Sequence, residues 1–104
     1  QGGANYDVIG SSLTVSTNTW THLAVSRSGN TVRLFKDGVM DATTGTIVGT
    51  LNNGSDGLGI GVESVDRSPG NYFSGYIDDL RITNGSARDY TASFTPPATQ
   101  FPDP

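Results

Sequence analysis

Apolar and polar residues alternate most regularly between Thr19 and Val39, where two strand-like runs flank Gly29-Asn30. Both of these residues tolerate positive φ, so the pattern predicts a β-hairpin in which Ser28 pairs with Thr31. In that register one face of the hairpin is aliphatic and the other is mixed: Leu23, Val25, Val32 and Leu34 lie on the first, and His22, Ala24, Arg33 and Phe35 on the second. This division is typical of a sheet with one face on the core. Asp37-Gly38 predicts the turn that follows.

Weaker alternation elsewhere predicts more short strands. These are residues 6–9 and 12–15 around a turn at Gly10-Ser11, 46–48, 58–62, 72–73 and 76–83, with loops over 51–57 and 64–71. In the 58–62 run, glycines at every second position leave one face bare, which would let a backbone or a ligand approach closely. No long amphipathic helix is predicted. Short strands with Gly-rich turns predict an all-β fold, an antiparallel β-sandwich or jelly roll.

Composition narrows the classes of partner. The chain has 104 residues, which predicts one domain, with the sandwich over 1–95 and a Pro-rich tail over 96–104. A net charge of −4 with six scattered cations argues against nucleic-acid binding, which needs a basic patch. There is no cysteine for a disulfide, a thiolate metal site or a Cys nucleophile. No apolar run is long enough to predict membrane insertion.

Two stretches, in this order, resemble a known family. Residues 20–38, WTHLAVSRSGNTVRLFKDG, are similar to a hairpin of laminin-G-like domains of the concanavalin A-like lectin/glucanase superfamily. Residues 73–97, FSGYIDDLRITNGSARDYTASFTPP, are similar to the closing stretch of the same domains. Complete members carry several strands ahead of the first hairpin, so the resemblance covers the C-terminal part of the domain. It implies a concanavalin A-like sandwich that is truncated on its N-terminal side.

The resemblance also implies a setting and a function. Domains that end in FTPP resemble those of bacteriophage virion and bacterial surface proteins, which implies an extracellular, cell-surface or virion location. We expect a non-catalytic lectin-like module that mediates adhesion or assembly, as in a phage tail fibre, and that binds glycans. The alternative is a purely structural or oligomerisation module without a glycan ligand. Open sheet edges in a truncated sandwich predict a homo-oligomer, or completion by another chain segment.

A hydrolase is not expected, and we assign no catalytic residue. Retaining glycoside hydrolysis needs two carboxylates roughly 5 Å apart. Glu63 is the only glutamate, and no aspartate pair on one strand face takes the place of the missing partner. His22, the only histidine, is expected to be a packed or edge histidine rather than a catalytic one, since no nucleophile elbow accompanies it.

The adjacent carboxylates Asp78 and Asp79 fall in the predicted closing strand. Neighbouring strand residues point to opposite faces, so the two cannot act together on one substrate atom. Asp78 shares its parity with Leu80 and Ile82, which places it toward the packed side. The resemblance implies a structural Ca²⁺ at Asp78. The alternative is that Asp78 accepts backbone hydrogen bonds or pairs with an arginine.

Aromatic and loop residues are the candidates for ligand contact. Aromatic faces pack on the apolar faces of sugar rings, and five aromatics would serve either this purpose or the core: Trp20, Phe35, Tyr72, Phe73 and Tyr76. We expect Trp20 and Phe73 in the core, and Tyr72, beside a polar loop, exposed. Lectin-like sandwiches bind ligands at such loops through Asp and Asn, so the predicted ligand-binding residues are Tyr72, Asn71, Asp66, Asp56 and Asn53. The alternative is that these loops are merely solvated.

Overall fold

The structure, a computed structural model, describes residues 11–50, 59–65, 68–85 and 90–99. Every regular element in these ranges is a β-strand, and all strand pairs are antiparallel. The predicted all-β fold class is confirmed. The described residues fall into two units, which we name separately. The sheet unit comprises 11–49, 82–85 and 90–99, and the loop unit is the described part of 50–81.

The sheet unit is built on the predicted hairpin. Its strands are β1 (Leu23–Ser28), β2 (Thr31–Lys36), β3 (Val39–Met40) and β4 (Gly45–Thr46). β1 pairs with β2 in the register that the sequence predicts, with Ser28 opposite Thr31 and Val25 opposite Leu34. β3 and β4 both pair with β2. The strand predicted over 46–48 is confirmed only at Thr46, where β4 ends, because residues 47 and 48 are not in a strand.

The two turns explain why this register holds. Gly29 has a φ of 59°, and at the second turn Asp37 and Gly38 have φ values of 49° and 80°. Positive φ at the first central residue, as at Gly29, or at both, as at Asp37 and Gly38, matches the right-handed twist of the strands that the turn connects. Asp37 also reinforces the strand ends, because its N–H donates to the His22 carbonyl (2.8 Å) and its Oδ1 accepts from the His22 N–H (2.9 Å).

The mixed face of the hairpin carries the aromatic core of the sheet unit. Phe35 is 1% exposed, and its ring centroid lies 5.8 Å from that of Tyr90 and 5.2 Å from that of Phe94. Tyr90 and Phe94 stack on each other at 3.8 Å, and the His22 ring meets Phe94 edge-on at 5.7 Å. An aromatic side chain buries more apolar area than an aliphatic one, so packing on this face stabilises the sheet unit more than packing on the aliphatic face would. His22 is packed, as predicted.

Backbone contacts fix the segment that supplies these rings. The Phe94 N–H donates to the Gly38 carbonyl (2.8 Å), and the Met40 N–H donates to Ser93 Oγ (3.0 Å). Ser26 Oγ donates to the Tyr90 carbonyl (2.9 Å). A Cβ on Gly38 would lie 1.8 Å from the Phe94 oxygen, so this approach requires glycine.

A buried carboxylate holds the segment before the hairpin. Asp41 is 2% exposed, and it accepts hydrogen bonds from Ser12 Oγ (2.8 Å) and the Ser12 N–H (3.1 Å). Hydrogen bonds from the Ser11 and Ser12 side chains lower the pKa of Asp41 to about 2. The Leu13 N–H donates to Ser11 Oγ (3.0 Å). The N–H groups of Ser12 and Leu13 thus donate to side-chain oxygens rather than to a neighbouring strand. Residues 12–15 form no strand, so that prediction is wrong. Residues 6–9 lie outside the described residues.

The loop unit contains one short hairpin, β5 (Glu63–Val65) and β6 (Ser68–Gly70), with Val65 opposite Ser68. The strand predicted over 58–62 is wrong in its described part, since residues 59–62 belong to no strand and Gly61 has a φ of 67°. The loop predicted over 64–71 instead contains most of this hairpin. Glycine leaves a strand face without side chains, but it also adopts positive φ at little cost. Gly61 does so here, and the chain leaves the strand conformation.

The predicted closing strands over 72–73 and 76–83 are also wrong. Asn71 and Asp79 have left-handed φ values of 48° and 53°, which a strand cannot accommodate. Asp78 Oδ1 accepts a hydrogen bond from the Asp79 N–H (2.8 Å), so a side chain competes locally with sheet pairing. The parity argument that placed Asp78 toward the packed side therefore fails, and Asp78 is exposed.

Candidate functional site

The stretch Asn71–Asp79 of the loop unit, here called the aromatic loop, presents most of its apolar side chains to solvent. Tyr76 is 87% exposed and Tyr72 is 70% exposed. Exposed large apolar side chains of this size, grouped in one short segment, are the feature that marks a binding surface. The aromatic loop is therefore the candidate site in this unit.

Two glycines organise the aromatic loop. The Phe73 N–H donates to the Gly61 carbonyl (2.8 Å), which ties the loop to the segment before β5. The Ile77 Cδ1 lies 3.2 Å from the position a Cβ on Gly61 would take. The Phe73 ring folds back over Gly75, with Cε1 2.8 Å from a Cβ placed there. The close approach expected at the bare glycine positions is thus made by the loop's own Phe73 and Ile77.

The same packing leaves the two tyrosines free to meet a ligand. Phe73 and Ile77 lie against glycines and are 59% and 51% exposed, whereas Tyr72 and Tyr76 are more exposed, at 70% and 87%. A tyrosine offers an apolar ring face and a hydroxyl that donates and accepts hydrogen bonds. That combination suits a flat ligand with one apolar face and hydroxyl groups at its edge. Sequence reasoning favoured Tyr72 alone, although the neighbouring Gly75 was a signal that Tyr76 lies on an exposed bend.

Polar groups flank the two rings. Asn71 is exposed, and its left-handed backbone carries the chain from β6 into the aromatic loop. The Asp78 carboxylate is exposed, and its Oδ1 is the acceptor for the Asp79 N–H. Among the described residues, no group of three or more His, Cys, Asp or Glu side chains is arranged to hold a metal ion. Ca²⁺ prefers six to eight oxygen ligands, so the described surroundings of Asp78 do not by themselves fit a calcium site.

The remaining candidates from the sequence are distributed differently. Asp66, Asp56 and Asn53 lie outside the described residues. Trp20 is 70% exposed in the sheet unit and Phe73 is also exposed, so their predicted place in the core is wrong. Trp20 precedes β1, and the Phe73 ring lies against Gly75. Phe35 is the member of the aromatic set that is buried.

A second surface lies on the sheet unit. Its aliphatic face is open along β1, with Val25 65% and Leu23 58% exposed, whereas Val32 of β2 is buried. The open part forms a groove of about 340 Å³. Ala24, Phe35 and five larger aliphatic side chains line the groove: Leu13, Val15, Leu23, Val25 and Leu34. Lys36 Nζ donates to the Thr14 carbonyl (2.5 Å), and this bond spans from β2 to the segment that carries Leu13 and Val15. The groove is a preformed apolar surface with little polar chemistry of its own.

Comparison with known proteins identifies the family. The model of a laminin-G family, described as the Concanavalin A-like lectin/glucanases superfamily, matches residues 1–89. The chain belongs to this superfamily. The laminin-G-like resemblance of the two sequence stretches is thereby confirmed, and the antiparallel all-β structure of this concanavalin A-like domain agrees with it. No curated protein and no solved structure gives a significant match to the chain.

Membership of the superfamily sets a coarse function. A concanavalin A-like domain of laminin-G type fits a lectin-like or a structural module, and such domains are generally non-catalytic and typically extracellular. Within the described residues, no helix is long and apolar enough to cross a bilayer. The two surfaces correspond to the two kinds of module: exposed tyrosines beside polar groups suit a small polar ligand, and an open aliphatic face suits a protein partner.

Proposed function

We propose that this concanavalin A-like domain is a non-catalytic glycan-binding module of a cell-surface or virion protein, and that the aromatic loop is its binding surface. The observation that carries the proposal is the exposure of Tyr72 and Tyr76, 70% and 87%, within one loop. A buried role would have placed these rings against other side chains, as Phe35 is placed in the sheet unit.

The chemistry of the loop matches that of a saccharide. A pyranose ring has an apolar face of C–H groups that packs on an aromatic ring, and a rim of hydroxyls that needs donors and acceptors. In the proposal Tyr72 and Tyr76 supply ring faces, Asn71 supplies an amide, and the Asp78 carboxylate accepts from sugar hydroxyls. Asp66, Asp56 and Asn53 complete the proposed ligand set as residues of neighbouring sequence. Adhesion or attachment is the biological role that such binding would serve.

A glycan array tests this proposal directly. We expect the purified domain to give reproducible hits that disappear in Tyr72→Ala and in Tyr76→Ala. Trp20→Ala is the matched control, because Trp20 is an equally exposed aromatic of the sheet unit. In proteins that bind single-stranded nucleic acids, removing an aromatic side chain that stacks on a base costs about 1–3 kcal/mol. By analogy we expect each tyrosine substitution to weaken sugar binding about tenfold. An array without hits, or hits that survive both substitutions, contradicts the proposal.

The same array decides whether calcium belongs to the proposed site. We run it with Ca²⁺ and with a chelator, and add Asp78→Asn. If calcium at Asp78 organises the loop, chelation and Asp78→Asn should reduce binding together. If Asp78 only accepts hydrogen bonds from the ligand, chelation should have no effect while Asp78→Asn still weakens binding.

The open aliphatic face supports a second candidate, a structural or oligomerisation module that assembles through the sheet unit. β1 has no second strand partner within the described residues. His22 is hydrogen-bonded toward β2, so the odd-numbered residues Leu23, Val25 and Arg27 turn their backbone groups to the outer edge. Such an edge, with apolar side chains on one face, is a template for strand addition. A second copy could pair antiparallel there, with Val25 opposite its own counterpart.

Light scattering across a range of protein concentrations tests this candidate. We expect a dimer that Val25→Lys converts to monomer, because a charge would enter the new sheet face. Val48→Lys is the control, since Val48 is exposed in the same unit and lies off the groove. A wild-type domain that stays monomeric at every concentration contradicts assembly of this kind.

A further inference from the structure

The dipeptide Asn84-Gly85 lies in the sheet unit, ahead of the segment that supplies the rings of Tyr90 and Phe94. Both residues are exposed, and neither belongs to a strand. Within the described residues neither forms a hydrogen bond, and a Cβ on Gly85 would meet nothing within 4 Å. The Asn84 side-chain amide and the Gly85 N–H are therefore held by no other group of the described protein.

An asparagine in this setting reacts with the backbone that follows it. The Gly85 nitrogen attacks Cγ of Asn84, the Cγ–Nδ2 bond breaks, and ammonia leaves with the proton of the Gly85 N–H. The product is a cyclic imide, a succinimide. Water then opens this ring at either carbonyl and gives aspartate or isoaspartate. The two residues and water supply every atom, so the reaction needs no catalyst and no other reactant.

The residue after the asparagine controls this reaction. A side chain on that residue hinders the approach of its nitrogen, whereas glycine has none and adopts positive φ at little cost, as Gly85 does at 102°. Threonine is a poor follower, because its β-branched side chain is stiff. The other described asparagines precede larger residues: Thr19 follows Asn18, Thr31 follows Asn30 and Tyr72 follows Asn71.

The Asp37-Gly38 turn shows how the fold opposes the same chemistry. An aspartate before glycine forms the same succinimide with loss of water. The Asp37 N–H donates to the His22 carbonyl (2.8 Å), and its Oδ1 accepts from the His22 N–H (2.9 Å). A Cβ on Gly38 would lie 1.8 Å from the Phe94 oxygen, so this turn is also tightly packed. Ring closure at Asp37 disturbs these contacts, whereas ring closure at Asn84 breaks no described hydrogen bond.

From these observations we infer that Asn84 is a site of spontaneous deamidation in the folded domain. The modification replaces a neutral amide by a carboxylate, so it makes the net charge of −4 more negative by one. The isoaspartate product also inserts a carbon atom into the backbone ahead of the segment that carries the core rings. The inference goes beyond the proposed function and does not depend on it, since the reaction involves no ligand.

Timed incubation of the intact domain at mildly alkaline pH, below its melting temperature, tests the inference. Peptide mapping by mass spectrometry follows the conversion of each asparagine, and enzymatic methylation detects isoaspartate. The map separates Asn84 from Asn53, which also precedes a glycine and lies outside the described residues. We expect Asn84 to convert at least about tenfold faster than the other described asparagines, which corresponds to a barrier lower by about 1.4 kcal/mol.

Two variants and a denatured sample are the controls. Asn84→Gln keeps the amide but would have to close a larger ring, so conversion at this position should disappear. Gly85→Ala should slow conversion, and melting curves check that both variants fold. In denaturant Asn84 should convert at nearly the rate of the folded domain, because the fold does not protect it. Isoaspartate at Asp37 should form faster in denaturant than in the folded domain.

Each result has a definite meaning. Fast conversion of Asn84 that is lost in Asn84→Gln and slowed in Gly85→Ala supports the inference. Conversion of Asn84 no faster than that of Asn18, Asn30 and Asn71 overturns it. Conversion about tenfold slower in the folded domain than in denaturant also overturns it, because the fold would then protect the site. Equal rates at Asp37 in the two samples would overturn the argument that contacts within the fold distinguish the two sites.

Discussion

The sheet unit and the loop unit use aromatic side chains in opposite ways. In the sheet unit Phe35, Tyr90 and Phe94 pack ring against ring, and Phe35 is almost completely buried. In the loop unit Tyr72 and Tyr76 stand in solvent, although they lie in the more aromatic stretch of sequence. The number of aromatic residues in a stretch of sequence therefore does not predict where the core lies. A core forms where the rings can pack against a well-defined sheet face.

The backbone explains the contrast. In the sheet unit Gly29, Asp37 and Gly38 adopt positive φ at the turns between β1, β2 and β3, where they align these strands. The loop unit has Asn71 and Asp79 in the same conformation inside the apolar run, where they interrupt it. The first arrangement stabilises a scaffold, and the second exposes side chains. Binding surfaces commonly lie on such loops, carried by a rigid element.

The largest expected effect is the loss of the buried ring in the sheet unit. Phe35→Ala should lower the free energy of unfolding by about 3–5 kcal/mol, because it removes both the transfer energy of the ring and its contacts with Tyr90 and Phe94. Chemical denaturation followed by circular dichroism measures it. Val48→Ala, at a 77% exposed position of the same unit, should change stability by less than about 0.5 kcal/mol. Equal effects of the two substitutions would mean that the aromatic face is not the core.

Gly38→Ala should have the next largest effect. The added methyl would lie 1.8 Å from the Phe94 oxygen at a φ of 80°, so it strains the turn and displaces the segment that carries the core rings. We expect a loss of more than about 2 kcal/mol, measured by the same denaturation.

Gly29→Ala separates the steric effect from the conformational one. Gly29 also has positive φ, but a Cβ there meets nothing within 4 Å. Its substitution should cost only the left-handed strain, about 1–2 kcal/mol. If the two variants lose the same stability, the approach of Phe94 to Gly38 does not contribute.

These positions also show how far the sequence predicts the structure. The hairpin register follows from local turn chemistry at Gly29-Asn30 and Asp37-Gly38, which is legible in a short window, and it is confirmed. The burial of Phe35 depends on rings supplied by Tyr90 and Phe94, more than fifty residues later, and no local pattern contains that information.

Failures in the loop unit have a different cause. Alternation between Tyr76 and Thr83 is consistent with a strand, but Asp79 adopts a left-handed φ and Asp78 bonds its neighbour's N–H. Asn and Asp enter this conformation more readily than other side-chain-bearing residues, so their presence permits the break without requiring it. Of the candidate site, the sequence therefore predicts the exposure of Tyr72 and misplaces Asp78 and Phe73.

Acid should weaken the sheet unit through Asp41. Its pKa is lowered from 3.8 to about 2 by hydrogen bonds from Ser11 and Ser12, so the folded state binds a proton less readily than the unfolded chain. The stabilisation from Asp41 is therefore fully present above about pH 3.8 and is lost as the pH falls through about 2. Melting temperatures across this range measure it.

Asp41→Asn should melt lower than the wild type at neutral pH, because an amide cannot accept from Ser12 as the carboxylate does. The difference should shrink as the pH falls toward 2, where wild-type Asp41 becomes protonated. Asp78→Asn removes the same charge at an exposed position of the loop unit and should melt like the wild type. A constant gap between Asp41→Asn and wild type at every pH argues that the charge of Asp41 does not stabilise the fold.

The smallest expected effect on stability is also the most informative about the contrast between the units. Tyr72→Ala and Tyr76→Ala, singly and together, should change the free energy of unfolding by less than about 0.5 kcal/mol, since both rings are already in water. The double variant is compared with Phe35→Ala in the same denaturation experiment and with wild type in glycan binding. Binding lost at full stability would assign the rings to recognition. A loss of stability as large as that of Phe35→Ala would assign them to a core, and the two units would then use their aromatics alike.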